Sequence, residues 1–274
     1  MIFMQKNYLV RQLNISLFAT MGLFLSLLLM ACGTTNTTAL AMSSDNPTAL
    51  VLKPQVFALN PAAMPGLILQ GDVCQVHVGI GNVPRVVVQV TIHHYRANKM
   101  PVITYTPSAN KATLAINEKL PPRANTNVSS DSVDFAITVP QHINLALNSK
   151  VGSLQVNDVA GQMSLMTNTG SITASHVLLR GQSVLSSNVG SVTFSGGVDR
   201  NGTYRMETRV GTINAAFPAG TSLQVTAQTS IGSIGSDFSS IQSYGTRAQG
   251  TIGSAPYANV TLTTRIGSIF LEQA

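Results

Sequence analysis

A glycine followed by serine or threonine and then by leucine, isoleucine or valine recurs through the C-terminal half of the chain. It stands at Gly152-Ser153-Leu154, Gly170-Ser171-Ile172, Gly190-Ser191-Val192, Gly211-Thr212-Ile213, Gly232-Ser233-Ile234 and Gly267-Ser268-Ile269. The first five glycines are 18, 20, 21 and 21 residues apart, a period that belongs to stacked repeats rather than to mixed domains. A unit of about 20 residues cannot bury its own apolar face, whereas a stack of such units shares one continuous core.

The residues around each glycine form columns. Five positions before it stand Leu147, Leu165, Leu185, Met206, Ala227 and Leu262; three before stand Ser149, Thr167, Ser187, Thr208, Thr229 and Thr264. Immediately before it stand Val151, Thr169, Val189, Val210, Ile231 and Ile266. These three columns share a parity, so an extended strand turns them to one face and presents Lys150, Asn168, Asn188, Arg209, Ser230 and Arg265 on the other. After the glycine the apolar column moves to the second position (Leu154, Ile172, Val192, Ile213, Ile234, Ile269), which changes the parity. The chain must therefore bend at the glycine, where positive φ carries little steric cost. A second series, Gly161, Gly181 and Gly202, marks another turn nine residues before a main glycine. The expected fold is all-β, a β-solenoid-like stack of repeats of about 20 residues. An antiparallel β-sandwich is the alternative, because short alternating strands with frequent turns describe that class too.

At the N-terminus, Lys6 and Arg11 precede an apolar stretch from Ile15 to Met30 and then Ala31-Cys32-Gly33, the layout of a secretory signal. Leu29-Met30-Ala31-Cys32 resembles the lipobox of bacterial lipoproteins, with Met30 where Ala or Ser is commoner. That resemblance implies cleavage before Cys32 and lipid attachment to its thiol. Residues 1–31 then read as signal peptide and 32–52 as a Thr/Ser/Asn/Ala-rich tether. Residues 53–140 read as a β region broken by prolines, and 141–274 as the repeat region continuous with it. The expected location is the outward side of a bacterial membrane.

The formal charge of +6 is spread thinly, with 9% of residues charged and no basic run. That balance argues against nucleic-acid binding, which wants clustered Lys and Arg. With Cys32 lipidated, Cys74 has no disulfide partner; the alternating pattern around it puts it on the face of Val76, with His77 opposite, as a buried structural thiol. No metal is expected, because Cys-x-x-His lacks a second pair and His93-His94 would face apart on a strand. No cofactor is expected either. The acids of the repeat half fall at unrelated offsets, and no Gly-x-Ser-x-Gly elbow occurs, so no enzyme is expected.

The run from Gly71-Asp72-Val73 through Phe135-Ala136-Ile137-Thr138-Val139-Pro140, the Gly-Ser-Ile repeats, and the segment from Gly250-Thr251-Ile252-Gly253 to Ser268-Ile269 resemble the bacterial putative-adhesin family of β-strand repeat domains. The resemblance covers roughly residues 55 to 272. Relatives often carry Gly-Ser-Gly-Asp-Ile in the repeat; here Ser or Thr replaces Asp, which removes a column of carboxylates. The anchor, the tether and the regular ladder, taken with this resemblance, lead to the expectation of a non-catalytic, lipid-anchored surface protein, an adhesin or binding module for an envelope polysaccharide or a membrane protein. Lys150, Asn168, Asn188, Arg209 and Arg265 are the candidate binding face, and Gly152, Gly170, Gly190, Gly211, Gly232 and Gly267 the repeat turns. The alternative it implies is a structural or signalling accessory of a membrane stress-response system. The C-terminal segment from Ser268 to Ala274 is expected to leave one end of the stack open.

Overall fold

Each repeat glycine is the corner of a rung, and the packing of corner on corner accounts for the motif. The computed structural model describes residues 48–60, 65–82, 85–94, 100–121 and 131–274. Lys6, Arg11, the apolar leader, Cys32 and most of the tether lie outside the described residues. At Gly190 φ is +144°, and a Cβ there would stand 2.0 Å from the carbonyl oxygen of Gly170 in the adjoining rung. Only glycine fits such a contact. The carbonyl meets a hydroxyl from the next rung: Ser187 Oγ donates to Gly170 O at 2.8 Å, and Thr208 Oγ1 to Gly190 O at 2.7 Å. Thr167 to Gly152, Thr264 to Gly211 and Thr229 to Gly267 repeat the bond at 2.9, 3.1 and 2.9 Å. These hydroxyls are buried, so the column three before the glycine must be small and must donate.

The first strands are β1 (Thr48–Val51), β2 (Gln55–Ala58), β3 (Gly66–Ile80), β4 (Arg85–His94), β5 (Val102–Pro107), β6 (Thr113–Lys119) and β7 (Ser132–Val139). The repeats then give β8 (Asn144–Val151), β9 (Leu154–Asn157), β10 (Ala160–Gly161), β11 (Met163–Thr169), β12 (Ile172–Leu179), β13 (Gln182–Val189), β14 (Val192–Val198), β15 (Thr203–Val210) and β16 (Ile213–Phe217). Last come β17 (Leu223–Ile231), β18 (Ile234–Ser236), β19 (Ile241–Tyr244), β20 (Arg247–Ile252), β21 (Ala258–Ile266) and β22 (Ile269–Gln273).

The strand before each corner joins one parallel sheet, in the order β6, β3, β8, β11, β13, β15, β21, β17. The strand after the corner joins a second, in the order β7, β3, β9, β12, β14, β16, β22, β18. The long β3 belongs to both. The parallel pairing of successive repeats makes this a solenoid-like stack and not an antiparallel sandwich. Between the sheets the leading column (Leu147, Leu165, Leu185, Met206, Leu262) meets the trailing one (Leu154, Ile172, Val192, Ile213, Ile269) in a single buried core. The rings of Phe194 and Phe217, 5.2 Å apart, fill it farther along.

Antiparallel strands close both ends. β4 pairs with β7, β1 and β2 pair with β4, and β5 pairs with β6. Phe57 of β2 and Tyr105 of β5 meet across the two sheets at 5.4 Å. At the other end β20 pairs with β17, and β19 with β20.

Two expectations are corrected. The column just before the glycine does not face the core: Val151, Val189, Val210, Ile266 and Ile231 are exposed. The corner begins one residue earlier than a parity count allows, so the strand has already turned when it reaches them. The C-terminal segment does not form an open end either. β22 is paired on both sides, with β16 and with β18, and the rung β21/β22 stands between rungs that precede it in the chain. The 34 residues between Gly232 and Gly267 hold the β19–β20 hairpin, which covers the outer edge of β17.

Candidate functional site

The polar column two before the glycine lies outward on the first sheet, and the register sets its order. Gly71 and Val73 pair with Ser149 and Val151, which places Asp72 beside Lys150. The same bracketing puts Lys150 beside Asn168, Asn168 beside Asn188, and Asn188 beside Arg209. Thr208 and Val210 pair with Thr264 and Ile266, so Arg209 neighbours Arg265, with Ser230 on the far side. Along the chain Ser230 falls between the two arginines; in the stack nothing does.

Asn168, Asn188, Arg209, Arg265 and Ser230 line a shallow groove of about 640 Å³, together with Asn148, Met166, Glu207 and Thr263. Lys150 stands outside that lining and is engaged, its Nζ 2.6 Å from Asp72 Oδ1. Asn188 Nδ2 donates to Asn168 Oδ1 at 3.0 Å, which leaves the Asn168 amide hydrogens and the Asn188 carbonyl facing solvent. Glu207 is held by Arg205 at 2.9 Å. Among the described residues no carboxylate reaches Arg209 or Arg265 within ion-pair distance. The groove is therefore positive at one end, with amides at its centre.

Beyond the column the corner is lined by Ser153, Ser171, Ser191, Thr212, Ser268 and Ser233. The backbone N–H of Ser171 donates to Ser153 Oγ and that of Ser191 to Ser171 Oγ, both at 3.3 Å. Between the hydroxyl ladder and the groove run the exposed valines and isoleucines, an apolar strip.

The N-terminal end of the column contains a cluster that the repeat pattern does not reveal. In β3, Cys74 occupies the glycine position and Gly71 the hydroxyl position, an exchange of the two roles. A Cβ at Gly71 would stand 2.3 Å from Cys74 Sγ, so the thiol fills the space of the missing hydroxyl. The thiol donates to Ser149 Oγ at 3.4 Å, and burial pushes its pKa up to about 11, so it stays protonated and inert. Glu118, at the hydroxyl position of β6, is buried and accepts the N–H of Asp72 and Val73 at 2.5 and 3.3 Å. Among the described residues its other oxygen, Oε1, has no hydrogen-bond partner. Burial raises the Glu118 pKa, while the hydrogen bond from Lys150 holds that of Asp72 below the usual carboxylate range. His93 pairs with Asp134 at 2.8 Å, and among the described residues no group of three or more His, Cys, Asp or Glu is placed to hold a metal ion.

No family model matches the chain, and no curated protein matches it. Among solved structures, a putative cell adhesion protein of Clostridium sporogenes is similar at 12% identity and a TM-score of 0.49, over 81% of this chain and 99% of that one. A putative adhesin of Bacteroides fragilis is similar at 12% identity and a TM-score of 0.43, over 82% and 98%. Similarity at this level assigns neither a ligand nor an activity.

Proposed function

We propose that the protein is a non-catalytic binding module of the bacterial envelope, tethered through a lipid on Cys32, and that the groove on the first sheet receives an envelope polymer. The observation that carries this reading is the register of the groove. Polar side chains repeat at the strand spacing of about 4.8 Å across a rigid ladder, an arrangement suited to a linear ligand laid across the strands. Flat aromatic platforms are scarce, with Trp 0 in the composition, so hydrogen bonding and charge would do the binding rather than stacking. A second reading, an accessory of a membrane protein, draws on the exposed strip of Val151, Val189, Val210, Ile266 and Ile231, since apolar surface favours a protein partner.

The test is retention of envelope fractions by the full chain in mild detergent. Retention of the polymer fraction is expected; capture of one stoichiometric membrane protein and no polymer would move the assignment to the second reading. Incorporation of labelled fatty acid, lost in Cys32→Ser, checks the anchor, and labelling that survives this substitution would remove it.

A further inference from the structure

We propose that Arg209 and Arg265 form a site for the phosphodiester of an anionic polymer, an inference that rests on the groove being the binding face. Two cations side by side on neighbouring strands repel one another, and like charges directly opposite destabilise a sheet. The fold accepts that arrangement here without supplying a counter-charge. Glu207 lies in the groove but is engaged by Arg205, whereas Lys150, in the same column, is neutralised by Asp72. Within the column and its groove, among the described residues, the uncompensated positive charge is thus confined to Arg209 and Arg265.

Geometry selects the ligand. A guanidinium presents a fork of donors that matches the oxygens of a carboxylate or phosphate. One fork suffices for a planar carboxylate, whereas two forks on strands about 4.8 Å apart straddle a tetrahedral group and take one non-bridging oxygen each. A phosphodiester offers two such oxygens and carries its own charge between them. Asn188 and Asn168 follow along the groove, with one amide donor side and one carbonyl acceptor unused. That pair suits the hydroxyls of a polyol or sugar linking one diester to the next. The chain order hides this site, because Arg265 comes next to Arg209 only through the interposed rung.

The experiment is calorimetric titration of the full chain in mild detergent with poly(glycerol phosphate), with dextran as the uncharged control. Salt-sensitive binding to poly(glycerol phosphate) and none to dextran is expected. Arg209→Gln combined with Arg265→Gln should weaken binding by at least about tenfold, as loss of charge-assisted bonds implies. Lys53→Gln, which removes one exposed charge outside the groove, should bind within about twofold of wild type. Equal binding by the double variant, at an unchanged melting temperature, would overturn the site. If that variant still retained envelope polymer, the binding face would stand without the diester; if wild type retained none, both would fall. Glycerophosphoglycerol, the diester of a lipid headgroup, should compete poorly as a monomer. Competition equal to the polymer, diester for diester, would assign the site to lipid and overturn the polymer.

Discussion

Glu118 shows how one side chain can be read from its surroundings. It stands where the repeat rungs place a serine or threonine, but where those hydroxyls donate to a carbonyl, Glu118 accepts two backbone N–H groups. A hydroxyl would bury no charge there, whereas the carboxylate does, and desolvation raises its pKa above the ordinary 4.5. A group whose folded pKa is raised holds its proton more tightly in the native state. Its contribution is fully present below the unfolded value and is lost as pH rises through the folded one. Glu118→Gln keeps the acceptor and cannot ionise. Its stability relative to wild type should therefore increase from pH 4 towards neutrality, measured as the difference in denaturation midpoint. Asp72, whose pKa is lowered by Lys150, acts in the opposite sense but is present in both proteins and cancels. A difference that is flat or declining with pH would mean that the fold favours the charged form.

The rung corner is a repeated device, so a single example tests the set. Thr208→Val removes the hydroxyl that bonds to Gly190 O while preserving shape, and leaves a buried carbonyl without that donor. The expected loss is about 1–2 kcal/mol in chemical denaturation, with Thr208→Ser close to wild type. Equal stability of Val and Thr at this position would show that the corner does not depend on the bond. These corners, their glycines and the two apolar columns were legible in the sequence because they repeat. Three things were not. A parity count that runs to the glycine turns the preceding column inward, whereas Val189 and Val210 already lie past the turn. The exchange of Gly71 and Cys74 removes the signature from β3, so its place as a rung beside β8 and the pairing of Asp72 with Lys150 were invisible. The adjacency of Arg209 and Arg265 was hidden because the rungs from Gly152 onward carry one motif, and a motif they all share cannot specify their order.

The stack is held by neighbours on both sides of every inner rung, with antiparallel strands at the two ends. Removing residues 258–274 would delete β21/β22 from the interior and leave the edges of β15/β16 and β17/β18 without their partner. Unpaired edges invite pairing with other chains, so the expected outcome is loss of the monomer and formation of aggregates, measured by size-exclusion chromatography with light scattering. A monomer with an unchanged circular dichroism spectrum would show that β17/β18 can close directly on β15/β16. The placement of that rung also sets a clock. A coil wound in chain order can harden turn by turn as the polypeptide emerges, but here the berth between β16 and β18 stays vacant until residue 273 has emerged. During that interval a strand from a second, incompletely folded chain competes for the same berth, so the hazard of entanglement falls with the speed at which the last turns are delivered.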